Sequence, residues 1–201
     1  LPDQLSFVVD LNCYSGVDSG YGVRRGTPEY RKLEQAYHRL AHLHRANLDV
    51  LGYSHTGTTV QDHAPPLTGE GAATRVADWS DWEAHFGPLL DGSAFADLPR
   101  ASTPIQAMYL PFFENWPGDL RRHYKYDDPT IPKTEEEYRQ ILTRHALRAA
   151  PIEQCFSPEY EARFQAVVAD FAAHLLQRGY TRTWFTVYFN NKYYYKRPAQ
   201  G

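Results

Sequence analysis

The sequence predicts an α/β fold, the N-terminal half (about four βα units) of a TIM-type (β/α)8 barrel, incomplete as given. Three observations lead there. Four strand-like apolar runs alternate with helical runs, an order that implies parallel strands joined by helical crossovers. The loops after the strands are long and aromatic while those before them are short, as in a barrel whose working face lies at the strand C-termini. The composition, 42% hydrophobic and 22% charged over 201 residues, is that of one globular domain or part of one. An open doubly wound sheet satisfies the first observation equally. Four strands cannot close a barrel, and no repeat between the units suggests a solenoid. The whole chain, 1–201, is therefore read as one partial barrel domain with long loops at about 55–77 and 111–133.

Leu5 to Asn12 reads as the first strand, apolar enough to be covered on both faces. Glycines 16, 20, 22 and 26 mark the loop after it. Thr27-Pro28-Glu29 then opens a helix with a hydroxyl N-cap, a proline at the first position and an acid at the positive end. Tyr30, Leu33, Tyr37, Leu40 and His44 recur at helical spacing and predict its buried face. Leu48 to Ser54 is the second strand. The polar stretch from His55 to Val76 is long for a structureless loop, and such loops are often functional. A short helix is expected from Asp78 through Phe86, ended or bent by Pro88.

Pro104 to Leu110 is the third strand, running into Pro111-Phe112-Phe113-Glu114-Asn115-Trp116-Pro117. Thr134 and Glu137 form a capping box before the next helix. Ser157-Pro158-Glu159 opens another, with Phe164, Val167, Val168, Phe171, Leu175 and Leu176 as its inner face and Gly179 as its stop. Thr183 to Phe189 is the fourth strand. In a half-barrel the first and fourth strands are open edges. Their apolar residues, Phe7-Val8-Val9 and Phe185-Thr186-Val187, lack the lysines and bulges that protect an edge. These edges are expected to be covered by the remainder of the same protein or by a partner chain.

Charge and length exclude several classes. Lys and Arg number 21 against 24 Asp and Glu, a net charge of −3 without the basic excess of a nucleic-acid binder. No apolar run reaches the roughly 18 residues of a membrane span. Two cysteines make no disulfide scaffold. Cys13 and Cys155 are expected as free thiols, with one bridge as the alternative. The start at Leu1 and the finish just after a strand read as a processed chain or a piece of a longer one.

On a barrel the useful side chains stand where strands end. Those positions hold Asp10 and Asn12, then Tyr53 and His55, then Glu114, Asn115 and Trp116, then Asn190, Asn191 and Lys192. Sugars need this combination, because hydroxyls pair with carboxylates and amides while C–H faces stack on aromatic rings. The plainer alternative is that Asp and Asn after strands make turns. Glu114 lies between Phe112-Phe113 and Trp116-Pro117, an apolar setting that would raise its pKa and suit a general acid, with Asp10 as the second carboxylate. Its alternatives are pairing with Arg121 or Arg122, or a contact to a substrate hydroxyl. Trp116 and Tyr53 would stack on sugar, and Asn12, His55, Asn190, Asn191 and Lys192 would contact it. The glycines after the first strand do not follow the dinucleotide-binding spacing. His38 and His42, with Glu34 one turn earlier, have a zinc-compatible spacing but are expected at the surface or flank of their helix. His55 and His63 share a loop without a third ligand. No metal site and no cofactor are expected.

The stretches Pro66 to Gly71, Trp79 to Trp82, Phe86 to Phe95, Tyr109 to Pro117 and Phe189 to Tyr194 resemble bacterial glycoside-hydrolase-like proteins. The nearest are the family 123 type N-acetylgalactosaminidases and their uncharacterised relatives. The resemblance spans about Phe7 to Tyr195. It implies a (β/α)8 barrel, carbohydrate as partner, and hydrolysis of a glycosidic bond in the full-length protein. A secreted or cell-surface setting follows from that substrate class. In that family an adjacent Asp-Glu pair works with the substrate's own acetamido group. This sequence has no adjacent Asp-Glu pair, so the resemblance places it beyond Gly201 and implies that this chain alone is inactive. The alternative is a non-catalytic carbohydrate-binding or structural subunit built on the same barrel.

Overall fold

A computed structural model describes residues 2–13, 16–50, 52, 63–113, 116–118 and 156–187. In chain order the elements are β1 (Asp10–Cys13), α1 (Gly16–Tyr21), α2 (Pro28–Leu43), β2 (Asn47–Val50), β3 (Leu67–Thr68), β4 (Arg75–Val76), α3 (Ser80–Leu90), β5 (Ala107–Leu110), α4 (Pro158–Gln177) and β6 (Trp184–Val187). Short 3₁₀ turns at Gly71–Ala73 and Ser93–Phe95 complete them. The expected helix after Thr134 lies outside the described residues.

The fold is mixed α/β with small sheets. β1 pairs in parallel with β2, Asp10 opposite Asn47, and β5 pairs in parallel with β6, Ala107 opposite Trp184. Among the described residues no main-chain ladder joins the two pairs. Two side chains of β2 do so instead: Ala107 N donates to Asn47 Oδ1 (3.2 Å) and Tyr109 N to Asp49 Oδ1 (3.0 Å). Both bonds advance by two residues together, so β2 and β5 run in the same sense. The strands thus lie side by side in chain order, and they form no closed barrel among the described residues.

The described helices α2, α3 and α4 lie on one side of these strands. Leu48 and Val50 pack on Ala41 of α2, while Met108 joins Phe86, Leu89 and Leu90 of α3 and Val167, Phe171 and Leu175 of α4 in the main core. α2 and α3 touch each other through Glu34 and His85, which puts both on the same side. A doubly wound sheet would carry helices on both faces.

Four segments depart from expectation. The first strand starts at Asp10 rather than Leu5, because residues 2–5 run across the foot of the strands instead. There Arg45 donates to Pro2 O, Arg100 Nη1 to Asp3 O (2.8 Å), Gln106 Nε2 to Leu5 O (2.7 Å), and Gln4 Nε2 to Arg182 O (3.3 Å). Nor is that run covered on both faces: Phe7, Val9 and Leu11 are 60%, 42% and 50% exposed. The glycine loop contains helix α1, and the stretch ending at Val76 contains the antiparallel β3–β4 pair, tied to α4 by Val76 N donating to Asp170 Oδ2 (2.7 Å). The third helix continues to Leu90 with Pro88 in its last turn, where only one intrahelical donor is lost.

The buried face of α2 is rotated from the predicted one. Tyr30 is buried as expected, but the others are Glu34, His38, Ala41 and His42, while Leu40 is 51% exposed and His44 is exposed. Two polar partners draw this face inward. His42 stacks on Phe95 at 4.1 Å and bonds Pro99 O at 2.9 Å, and Arg39 grips Asp97 with two bonds of 2.7 Å. In α4, Val167, Phe171 and Leu175 face the core as expected, whereas Val168 and Leu176 do not.

Candidate functional site

Strand side chains alternate between faces. Leu48, Val50, Met108 and Phe185 point toward the helices, so Asn47, Asp49, Ala107, Tyr109, Trp184 and Thr186 point the other way. Asp10, the ladder partner of Asn47, joins them by accepting from Asn47 Nδ2 at 3.0 Å. This face, which no described helix covers, is polar and aromatic. Asn47 and Asp49 are buried, Tyr109 is half-buried, and Asp10, Thr186 and Trp184 are exposed, Trp184 by 57%. Asn47 is fully engaged, its amide nitrogen on Asp10 and its oxygen on β5. Asp49 uses Oδ1 for the Tyr109 amide. Burial lifts the Asp49 pKa from 3.8 to about 7; the Tyr109 hydrogen bond opposes that rise and the nearby Asp10 charge adds to it. Near neutral pH this carboxyl therefore holds a proton for much of the time.

The structure places three of the expected site residues. Asp10 stands on this polar face. Asn12 lies in β1 opposite Asp49. Trp116 is half-buried, its ring against Phe112 (5.3 Å) and Phe171 (5.7 Å) of the core. Tyr53, His55, Glu114, Asn190, Asn191 and Lys192 lie outside the described residues, as does Cys155. Cys13 is a half-buried free thiol.

Sequence reasoning missed Asn47, Asp49, Tyr109 and Trp184. The available signal was a carboxylate inside an apolar strand run, Leu48-Asp49-Val50, where an acid has no place unless something is built around it.

A second polar group lies on the helix side, and here the expectation of a surface position fails. Glu34 is 1% exposed and His38 5%. Glu34 Oε1 is 3.1 Å from His85 Nε2 and 3.8 Å from His38 Nε2. His63 meets the edge of His85 at 5.6 Å and of Phe86 at 5.3 Å. Its ring occupies the space a side chain at residue 52 would need, since a Cβ on Gly52 would lie 2.4 Å from it. Burial alone would raise the Glu34 pKa, but the His38 imidazole beside it, the hydrogen bond from His85 and the charges of His85 and His63 outweigh it and hold the carboxyl well below its usual range. Glu34 Oε2 and both ring nitrogens of His38 are buried without a hydrogen-bond partner. A cleft of about 320 Å³ between α2 and α3 borders the cluster, with Arg31 and Lys32 on its wall. Among the described residues no group of three or more His, Cys, Asp and Glu is arranged to hold a metal ion, this cluster included.

Comparison of the chain with protein-family models, with curated proteins and with solved structures gives no match.

Proposed function

We propose that the chain is the sugar-facing part of a glycoside-hydrolase-like protein built on a (β/α)8 barrel, binding carbohydrate on the strand face that no described helix covers. The observation that carries this reading is the composition of that face: Asp10, Asn47 and Asp49 beside Tyr109 and an exposed Trp184. Carboxylates and amides pair with hydroxyls, and an indole offers a flat surface for sugar C–H groups. The position of the described helices supports the barrel, because a barrel wall keeps its helices outside. Parallel strands in chain order agree with it. In this reading the remaining strands of the barrel come from the rest of the protein or from a partner chain, and cover the edges of β1 and β6.

A glycan array and a panel of aryl glycosides, including N-acetylhexosaminides, test the proposal on the full-length protein. The expected result is binding of at least one glycan, weakened tenfold or more by Trp184→Ala. That substitution should leave stability within about 0.5 kcal/mol, as for an ordinary exposed site. Absence of both glycan binding and turnover would overturn it.

A further inference from the structure

We propose that the cleft between α2 and α3 binds a small organic acid that carries a hydroxyl or ammonium group beside its carboxylate. The cleft lies on the helix side of the strands, and the assignment does not depend on the carbohydrate reading. Arg31, Lys32, Glu34 and His38 of α2 line it together with His85 and Pro88 of α3. Its volume of about 320 Å³ is at the lower end of the roughly 300–1,000 Å³ of small-molecule pockets.

The polar groups of this lining call for a partner from within the cleft. Arg31, Glu34 and His38 are spaced by three and four residues, so one face of α2 presents all three. Glu34 is 1% exposed and His38 5%. Arg31 Nε, Glu34 Oε2 and both ring nitrogens of His38 are buried with no hydrogen-bond partner among the described residues. Buried polar groups are nearly always paired, and here four such atoms stand on one wall of a cavity. Their chemistry specifies what meets them. The carboxylate oxygen Glu34 Oε2 can only accept, so its partner must donate. Arg31 Nε can only donate, so its partner must accept, and neutral His38 offers one of each. Charge selects the acceptor. Arg31 and Lys32 bring two positive charges to the lining, while its carboxylate, Glu34, already has His85 Nε2 at 3.1 Å from Oε1. A carboxylate suits a guanidinium best, since the two planar groups match in paired bonds. The ligand therefore sets its acid group on Arg31 and Lys32 and its hydroxyl or ammonium on Glu34 Oε2, with its carbon skeleton against Pro88.

The test titrates the full-length protein with lactate, alanine and glucuronate, which share the acid and differ in donor and skeleton. Propionate, matched to the first two, and cyclohexanecarboxylate, matched to glucuronate, lack the donor; the amides of the three acids lack the charge. Binding of at least one acid at millimolar concentration is expected, and the one that binds best distinguishes hydroxy acid, amino acid and sugar acid. Its donor-free analogue and its amide should bind about tenfold or more weakly, because each leaves a buried group of the cleft unpaired. Arg31→Met should weaken binding about tenfold or more. Lys32→Ala, at an exposed position, should weaken it about two- to fivefold and leave the fold intact. In NMR spectra the imidazole signals of His38 and His85 should shift as the acid is added, a readout that needs no variant. No binding of any of the three acids, equal binding of the donor-free or uncharged analogue, unchanged affinity in both variants, or unmoved His38 and His85 signals would each overturn the proposal. Glycan binding is read through Trp184 on the strand face, so the two readings fail independently.

Discussion

Glu34 and Asp49 are both sealed from solvent, and their surroundings act on them in opposite directions. For Asp49, burial and the nearby charge of Asp10 outweigh the single amide it accepts from, so its folded pKa rises to about 7. Glu34 is met by imidazoles, so its folded pKa falls. The signs of their stability contributions follow. The Asp49 contribution is complete below its ordinary value of 3.8 and is lost as pH rises through about 7. That of Glu34 is present above its ordinary 4.5 and is lost as pH falls toward its depressed value. In denaturant titrations, Asp49→Asn should flatten a decline of up to about 1.4 kcal/mol per pH unit between pH 3.8 and about 7. Glu34→Ala should cost about 3–5 kcal/mol at neutral pH, as for breaking a buried charge pair. An unchanged midpoint for Glu34→Ala would refute the idea that the histidines are neutralised by this carboxylate. The Glu34–His38 spacing is visible in the sequence, but periodicity counts apolar residues and so favoured the face carrying Leu33, Tyr37 and Leu40. It cannot register that an acid and its histidines satisfy one another and become buriable together.

At the scale of elements, the helix ends were the most legible part of the chain. Thr27 accepts from Tyr30 N (3.3 Å) and Ser157 from Tyr160 N (3.1 Å), each before a proline at the helix start. Gly179 adopts φ 74° just past α4, where Tyr180 N reaches back to Leu175 O (2.9 Å). These signals are local, so the sequence alone carries them. What β1 pairs with and which face of α2 turns inward depend on contacts between distant residues. The core of α4 was legible in part. Phe171 is 1% exposed, with Trp79 (4.7 Å), Trp82 (5.8 Å) and Phe112 (5.6 Å) around its ring. Phe171→Ala should therefore cost about 3–5 kcal/mol in thermal or denaturant unfolding. Leu176→Ala, at a position 70% exposed, should change stability by less than about 0.5 kcal/mol. Equal losses for the two would contradict this assignment of the α4 face.

The whole molecule leaves apolar surface uncovered along one flank. Phe7, Val9 and Leu11 are exposed on and before β1, and Leu40 and Leu43 on α2. β1 has β2 on one side and no second strand among the described residues. Such an edge invites pairing with another chain. Sedimentation of the 201-residue chain should show association, and Val9→Lys should reduce it; a stable monomer of 23.1 kDa would argue against the half-barrel. Parallel strand pairs and the crossover order were readable from the alternation of runs. The seam between β2 and β5 was not, because it is made by two polar side chains where a ladder would normally run.

Residues 2–5 also bear on how this fold is made. Gln4 is tied to Arg182, and the carbonyls beside it to Arg45, Arg100 and Gln106. During synthesis the first few residues emerge long before their last partner does. At the usual elongation rate of about 5–20 residues per second, that interval is on the order of ten seconds or more. Throughout it residues 2–5 are without the Arg182 carbonyl that holds Gln4 in the folded protein, so this crossing of the strand foot is completed only as β6 is reached.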